Sequence, residues 1–123
     1  MQSINLAVFG GNLTRDPVVR NIPSGHTVCE FGIAANRKFQ SNGELKEETT
    51  FMDVEVWGKQ AELCSTQLKK GKYAIVHGRI QQDNWEDKET GQKRSKLRLR
   101  ADRVVFNYEK KEEEEAVEEA APF

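Results

Sequence analysis

Residues 49–80 read TTFMDVEVWGKQAELCSTQLKKGKYAIVHGRI, and the hydrophobic pattern changes twice within them. Residues 49–57 alternate apolar and polar side chains, which predicts a strand with one buried face. Lys59 to Lys70 instead places apolar residues three and four apart, the spacing of a helix, and Gly71 is a typical residue for a helix end. Tyr73 to Ile80 then predicts a second strand, with apolar residues on both faces.

Two further strands are predicted before this stretch and one after it. Ile4 to Leu13 is rich in apolar residues, and its paired Gly10-Gly11 indicates a bulge or sharp bend. Thr27 to Asn36 alternates with an apolar face on its odd positions, and Arg94 to Ala101 alternates basic with apolar residues. Five strands with one helix between the third and the fourth predict an all-β, five-stranded OB-fold barrel.

The strand in residues 49–57 has two different faces. Its apolar face is predicted to lie in the core: Met52, Val54 and Val56. The opposite face carries Phe51 and Trp57, and two large aromatic side chains on a normally hydrated face require an explanation. Asp53 and Glu55 share that face, and we interpret them as surface charges rather than as an acid–base pair.

Length and charge divide the chain into a body and a tail. The 123 residues suit one domain, predicted at 1–108, followed by an acidic, disordered tail at 109–123. Residues 112–123 contain six Glu, whereas residues 1–111 carry 19 basic and 14 acidic side chains, a formal charge of +5. A basic body is typical of proteins that bind polyanions. The sequence shows neither a signal peptide nor an apolar run long enough for a membrane helix, so we expect a cytoplasmic protein without membrane contact.

Catalytic and metal-binding motifs do not stand out in this sequence. His26 and His77 have no Cys or carboxylate at metal-ligand spacing, and no nucleophile lies in a recognisable catalytic motif. Cys29 and Cys64 lie in apolar periodic segments, and we interpret them as reduced packing residues. The sequence therefore predicts a binding protein that is not an enzyme and uses no cofactor or metal.

Aromatic residues placed among basic ones carry the functional signal. Four of them occupy polar faces or loop-adjacent positions: Phe39, Phe51, Trp57 and Trp85. Basic residues lie close to them in sequence: Arg37, Lys38, Lys59, Lys93 and Arg94. Aromatic side chains stack on exposed nucleobases at about 1–3 kcal/mol per base, and Lys and Arg follow the phosphates. The combination favours binding of single-stranded nucleic acid.

The order of short motifs resembles the bacterial single-stranded DNA-binding proteins. The opening motifs of the resemblance are Asn5, Gly11-Asn12-Leu13, Asp16-Pro17 and Arg20. Its later motifs are Trp57 to Glu62, Leu68 to Gly71, Gly78 to Ile80, Trp85 to Asp87, and Ala101 to Val104. The resemblance covers residues 4 to about 107 in family order and spacing. It implies an OB-fold homotetramer that wraps single-stranded DNA around its outside, and the two-sided strand Tyr73 to Ile80 is a natural subunit contact.

The resemblance also implies site residues. The family's stacking positions fall on the four aromatic residues already named, and its phosphate-contacting positions fall on Lys46, Lys59, Lys70 and Arg94. To these we add Arg37 and Lys38 beside Phe39, and Lys96 on the last strand. Acidic or neutral residues stand where well-known members carry basic ones: Asp53, Gln81 and Asp83. Extra positive charge stands on the last strand: Lys96, Arg98 and Arg100. We therefore expect the electrostatic path for DNA to be rerouted.

The end of the chain resembles the acidic, Pro-Phe ending of the same family. Residues 118–123 read Glu-Glu-Ala-Ala-Pro-Phe, although the long linker of many members is missing. The residues predicted to dock partner proteins are Glu118, Glu119, Pro122 and Phe123. An aromatic tip with a terminal carboxylate fits a small apolar pocket rimmed by Arg or Lys.

The resemblance and the residues together predict a protein that coats single-stranded DNA in replication, recombination and repair. Its expected location is the cytoplasm, on the nucleoid, and its expected partners are proteins of those three processes, recruited through the tail. Two alternatives remain at this stage. One is an OB-fold protein of another duty, such as a single-stranded RNA binder or a primosome subunit. The other is an interaction module whose aromatic residues bind peptide.

Overall fold

A computed structural model describes residues 2–106 of the chain, which form six strands and one helix. The strands are β1 (Ala7–Leu13), β2 (Val18–Asn21), β3 (Thr27–Ser41), β4 (Glu44–Trp57), β5 (Tyr73–Glu86) and β6 (Lys93–Val105). The helix, α1 (Lys59–Gln67), lies between β4 and β5. No helix of the described residues is long and apolar enough to cross a membrane.

Five of the strands close into a barrel. Antiparallel pairs join β1 to β5, β5 to β6 and β3 to β4, and a parallel pair joins β4 to β6. Pairing of β1 with β3, in which Asn12 lies opposite Ala34, closes the ring. The helix therefore follows the third barrel strand and precedes the fourth, which confirms the predicted OB-fold topology. The sixth strand, β2, pairs only with β3 and was not predicted, because all four of its residues are exposed and give no apolar face.

Close backbone approach explains one of the paired glycines. A Cβ atom on Gly11 would lie 2.2 Å from the carbonyl oxygen of Ala34, far inside contact distance. Because β1 meets β3 at this point, the absent side chain lets the barrel close. A Cβ on neighbouring Gly10 would instead meet the Tyr73 hydroxyl at 2.9 Å, which is a side-chain atom rather than backbone.

The barrel interior contains the alternating residues that the sequence predicts. Its largest fully buried side chains include Phe31, Ile33, Val54 and Val56, and α1 adds Ala61 and Cys64. Cys29 and Cys64 are both buried, and neither forms a disulfide bond. Burial raises the pKa of Cys29 to about 11 and that of Cys64 to about 12, so both remain thiols at neutral pH. Their interpretation as reduced packing residues is confirmed.

Strands β3 and β4 continue past the barrel as a two-stranded arm of residues 36–49. Asn42 and Gly43 form the turn at its tip with φ of 53° and 78°, which confirms the predicted loop. The sequence predicted that the first of these strands ends at Asn36 and that the second begins at Thr49. Both predicted strands were therefore too short, because they left out the arm. Residues 44–48 (ELKEE) are exposed and show no alternation, so the hydrophobic pattern carries no strand signal there.

The helix ends at Gln67, three residues before the predicted end at Lys70. Leu68 adopts an extended conformation and buries its side chain in the core, which ends the helix. The backbone N–H of Lys70 then donates to the Asp16 carboxylate at 2.8 Å. Lys72, rather than Lys70, supplies the cation at the helix end, because its ammonium donates to the carbonyl of Gln67 at 2.9 Å.

Candidate nucleic-acid interface

The outward side chains of β4, β5 and β6 form one continuous surface, which we call the outer face. Side chains alternate across a strand, so every second residue of each strand belongs to it. The members on β4 are Phe51, Asp53, Glu55 and Trp57. The register adds Asp83 and Trp85 on β5, and Arg94, Lys96, Arg98 and Arg100 on β6. Three aromatic residues predicted from the sequence therefore share one surface with four basic residues.

Two of the three aromatic residues on the outer face are strongly exposed. The exposed fraction is 70% for Phe51 and 47% for Trp85. Trp85 lies near the tip of the β5–β6 hairpin, directly opposite Arg94 in the register. A shallow groove of about 460 Å³ runs past Trp85, Lys93 and Arg94. Exposed rings of this size beside cations are suited to stacking on the flat bases of an anionic polymer.

The hairpin tip that carries Trp85 is held by Asp87. Its carboxylate accepts the backbone N–H of Glu89 at 2.9 Å and pairs with Arg94 at 3.3 Å. The hydrogen bond from Glu89 is the main cause that lowers the pKa of Asp87. Gly91, with φ of 70°, completes the turn. The loop thus keeps Trp85 and Arg94 side by side.

Trp57 is half-buried, and its orientation is fixed by three contacts. Its indole N–H donates to the carboxylate of Glu55. The Arg100 guanidinium lies 4.4 Å from the ring centroid, a cation–π contact across one ring face. The ring of His26 lies 5.9 Å away at an interplanar angle of 59°. The ring is therefore pre-positioned beside a cation, with less exposure than Phe51.

Phe39 does not lie on the outer face. It is opposite Lys46 in the register of the arm, whereas Phe51 is opposite Ala34, and this parity places the two rings on opposite sides of the β3–β4 hairpin. The Arg37 guanidinium covers the Phe39 ring at 4.7 Å and also pairs with Glu48 at 2.8 Å. Phe39, Arg37 and Lys46 therefore form a separate cluster on the arm.

The remaining basic candidates are distributed over several elements. Lys38 is exposed on the arm, on the side of Phe51. Lys59 begins α1 two residues after Trp57 and is exposed. Lys70 is exposed in the segment between α1 and β5. Lys96 is exposed and pairs with the carboxylate of Asp53.

Buried charge at the centre of the outer face is the feature that the sequence interpretation missed. Glu55 is only 3% exposed, so its interpretation as a surface charge was wrong. Arg98 covers it with an ion pair and also pairs with Asp83, at 2.8 Å. A buried carboxylate requires such a partner. The only sequence signal was the coincidence of extra acids on β4 and β5 with extra bases on β6.

A polar pocket of about 250 Å³ lies over this ion-pair network, lined among others by Arg15, Asp53, Lys96 and Arg98. Asp53 pairs with Lys96 and, at 3.5 Å, with Arg15. The hydrogen bond from Lys96 is the largest cause that lowers the pKa of Asp53, and the charge of Arg15 adds to it. Asp53 is thus an ionised carboxylate between two cations.

No cluster of metal-ligating side chains is found in residues 2–106. Groups of three or more His, Cys, Asp or Glu side chains that could hold a metal are absent from this part of the chain. The residues predicted to dock partners lie outside the described residues: Glu118, Glu119, Pro122 and Phe123.

The strand order, the parallel β4–β6 pair and the single helix define an OB-fold protein. A solved structure, the Plasmodium falciparum SSB complex with ssDNA, contains a chain of the same fold. The TM-score is 0.79 at 21% identity, over 86% of this chain and 97% of that one.

Sequence comparison identifies the family. Residues 4–107 match the Single-strand binding protein family, and the chain belongs to that family. The single-stranded DNA-binding protein of Aquifex aeolicus is 42% identical over 118 residues, 94% of this chain and 79% of that protein. That of Treponema pallidum is 38% identical, over 85% of this chain and 58% of that protein. The resemblance read from the motifs is confirmed.

Proposed function

We propose that this protein binds single-stranded DNA on its outer face without sequence preference. The observation that carries the proposal is the shared surface of Phe51, Trp57 and Trp85 with the cations of β6. Membership of the Single-strand binding protein family and relatives named for single-stranded DNA binding support it. In this proposal the protein acts by binding rather than by catalysis.

The proposed mechanism separates bases from phosphates. Bases stack on the exposed rings of Phe51 and Trp85 and on the pre-positioned ring of Trp57, because every base offers a π-face. Phosphates contact the cations along the same surface, and release of their counterions supplies a salt-dependent part of the affinity. Neither step reads base edges, so the binding is independent of sequence.

The proposed phosphate contacts form two groups. The first lies on or beside the outer face: Lys59, Arg94 and Lys96. The second lies on the arm: Arg37 and Lys46 beside Phe39, and Lys38 on the side of Phe51. A strand that reaches Phe39 after crossing the outer face must pass around the arm, since the rings of Phe39 and Phe51 lie on opposite sides of it. Lys70, in the segment between α1 and β5, is proposed as a further phosphate contact.

We propose a homotetramer as the assembled form. Side chains of β1 and β5 that point away from the barrel form an apolar patch: Val8, Ile75 and, on neighbouring β6, Val105. Val8 and Val105 are exposed, and Leu6 just before β1 is exposed as well. An exposed apolar patch on a sheet is typical of a subunit contact. Val8→Glu should lower the mass in solution, measured by light scattering, while a mass unchanged from wild type would place the contact elsewhere.

The biological role that fits this activity is protection of exposed strands in replication, recombination and repair. The acidic tail is proposed to recruit proteins of those processes through Glu118, Glu119, Pro122 and Phe123, in the cytoplasm on the nucleoid. Deletion of Phe123 keeps a terminal carboxylate and the net charge. Pull-downs with and without Phe123 therefore test the docking tip, and equal recovery of partners from both would show a merely solubilising tail.

A competition titration tests the proposed function. Labelled oligo-dT bound by the protein is challenged with unlabelled oligo-dT, duplex DNA of the same length and oligo-rU. We expect strong displacement by oligo-dT only, with an affinity that falls as salt rises. Preference for RNA would favour another OB-fold duty, and failure to bind any oligonucleotide would favour a peptide-binding module. Equal displacement by duplex DNA would contradict the stacking mechanism.

A further inference from the structure

We propose that Arg15 and Lys96 form a phosphate-binding pair whose resident anion is the carboxylate of Asp53. The inference rests on the proposed function, because the phosphate that displaces Asp53 is that of a single DNA strand. Arg15 lies between β1 and β2, and neither the sequence motifs nor the aromatic pattern points to it as a binding residue.

Three elements bring the pair together around Asp53. One oxygen of the Asp53 carboxylate is 3.5 Å from Arg15, and the other pairs with the ammonium of Lys96. Arg15 reaches this position across Gly32, which lies opposite Asp53 in the register. A Cβ at Gly32 would lie 2.8 Å from a guanidinium nitrogen of Arg15, so the absent side chain makes room for the cation. The arrangement is a cation on each side of one anion.

The geometry allows the anion to be exchanged. Side-chain exposure is 36% for Asp53 and 59% for Lys96, and an ion pair of such exposure is worth little. The polar pocket of about 250 Å³ beside them offers room for a phosphodiester. Carboxylate and phosphate oxygens accept the same charge-assisted hydrogen bonds, so a phosphate is able to take over both cations.

Arg98, on the same strand as Lys96, is held by its carboxylate partners in a different way. Only 25% of its side chain is exposed, and it lies between the buried carboxylate of Glu55 and that of Asp83. Removing a cation from a buried carboxylate is costly, because the carboxylate is left without a partner. Arg98 is therefore retained by the protein, whereas Lys96 and Arg15 are available to DNA.

The inference predicts how neutralising each acid changes DNA binding. In Asp53→Asn, no internal carboxylate competes with phosphate for the two cations, so each cation neutralises a DNA phosphate in full and releases the counterions of that phosphate. The affinity for oligo-dT should rise about fivefold at low salt. The slope of log affinity against log salt should become steeper by about 0.7 for each cation released.

Asp83→Asn is a matched control. It removes the same charge from the same face, and the side chains of Asp53 and Asp83 are both 36% exposed. Because Arg98 remains paired with Glu55, the Asp83 variant should show only the small gain due to the lower net negative charge and a slope equal to that of wild type. Thermal unfolding of both variants checks that the fold is retained.

A double-mutant cycle assigns the effect to the cations. In a background of Lys96→Met with Arg15→Met, the gain from Asp53→Asn should fall to that of the Asp83 control. Equal gains and slopes for Asp53→Asn and Asp83→Asn, or a gain that survives in the double background, would overturn the inference. Absence of oligo-dT binding by the wild-type protein would instead contradict the proposed function itself, so the two failures are distinguishable.

Discussion

The two faces of β4 use neighbouring residues for opposite purposes. Val54 and Val56 point inward and are almost completely buried, whereas Phe51 and Trp57 on the other face meet solvent and cations. The inward residues are constrained by close packing, so their identity determines the barrel. Exposed outward residues such as Phe51 have no such constraint and are able to carry binding. We therefore expect substitutions on the inner face to change stability and those on the outer face to change DNA affinity.

The largest effect is expected from truncation of the core. Phe31→Ala removes a fully buried ring and should lower the free energy of unfolding by about 3–5 kcal/mol, measured by chemical denaturation. Phe51→Ala is the matched control, since it makes the same change at a ring that is 70% exposed. Its unfolding free energy should shift by only about 0.5 kcal/mol. Similar losses in both variants would contradict the separation of the two faces.

Barrel closure gives the next effect. Gly11→Ala places a methyl group against the backbone of Ala34 and should cost about 1–3 kcal/mol of stability. Gly10→Ala meets only side-chain atoms, the Tyr73 hydroxyl at 2.9 Å and Cγ1 of Ile75 at 3.4 Å, and should cost less. Thermal denaturation of the two variants provides the comparison. A larger loss for Gly10→Ala would show that β1 does not close on β3 as described.

The sequence predicted the inner face well because local alternation encodes it. Phe31 and Ile33 alternate within one strand, and Val54 and Val56 within another, so no knowledge of partners is needed. Where that signal vanishes, prediction failed. The exposed β2 was not predicted. The strands of the arm were predicted too short, because residues 44–48 are exposed and show no alternation.

The outer face was predicted only in part. Phe51 and Trp85 were found because large exposed rings among charges are unusual on a strand. The burial of Glu55 was not found, because it depends on Arg98, 43 residues further along the chain. That contact exists only once β4 and β6 pair in a particular parallel register, with Glu55 opposite Arg100. The contact between Arg15 and Asp53 was missed for the same reason, because it exists only where the Arg15 side chain passes over Gly32.

Base stacking predicts a similar loss of binding when either tryptophan of the outer face is truncated, but a loss of stability for only one of them. Trp85→Ala should weaken oligo-dT binding by about 1–3 kcal/mol and leave unfolding nearly unchanged. Trp57→Ala should weaken binding too, but it also removes the indole donor of buried Glu55 and should lower stability by about 1–3 kcal/mol. Anisotropy of a labelled oligonucleotide and urea unfolding measure the two quantities. Equal stability of both variants would show that the Trp57–Glu55 hydrogen bond contributes nothing.

The smallest effect concerns pH. The pKa of Asp53 is lowered by its hydrogen bond from Lys96 and by Arg15, so its ionised form stabilises the folded state above the unfolded pKa. That contribution is lost as pH falls through the lowered folded pKa. Because the pair is exposed, Asp53→Asn should cost less than about 1 kcal/mol at neutral pH. The difference from wild type in urea unfolding should disappear in strong acid, and a difference that grows in acid would contradict the pairing.

The central claim is that DNA stacks on the outer face, and the two tryptophans report on it directly. Trp85→Phe leaves Trp57 as the single tryptophan, and Trp57→Phe leaves Trp85. Each variant is titrated with oligo-dT while its fluorescence and the anisotropy of a labelled oligonucleotide are followed together. We predict that both tryptophans are quenched in step with binding. Binding by anisotropy with neither tryptophan quenched would contradict the account.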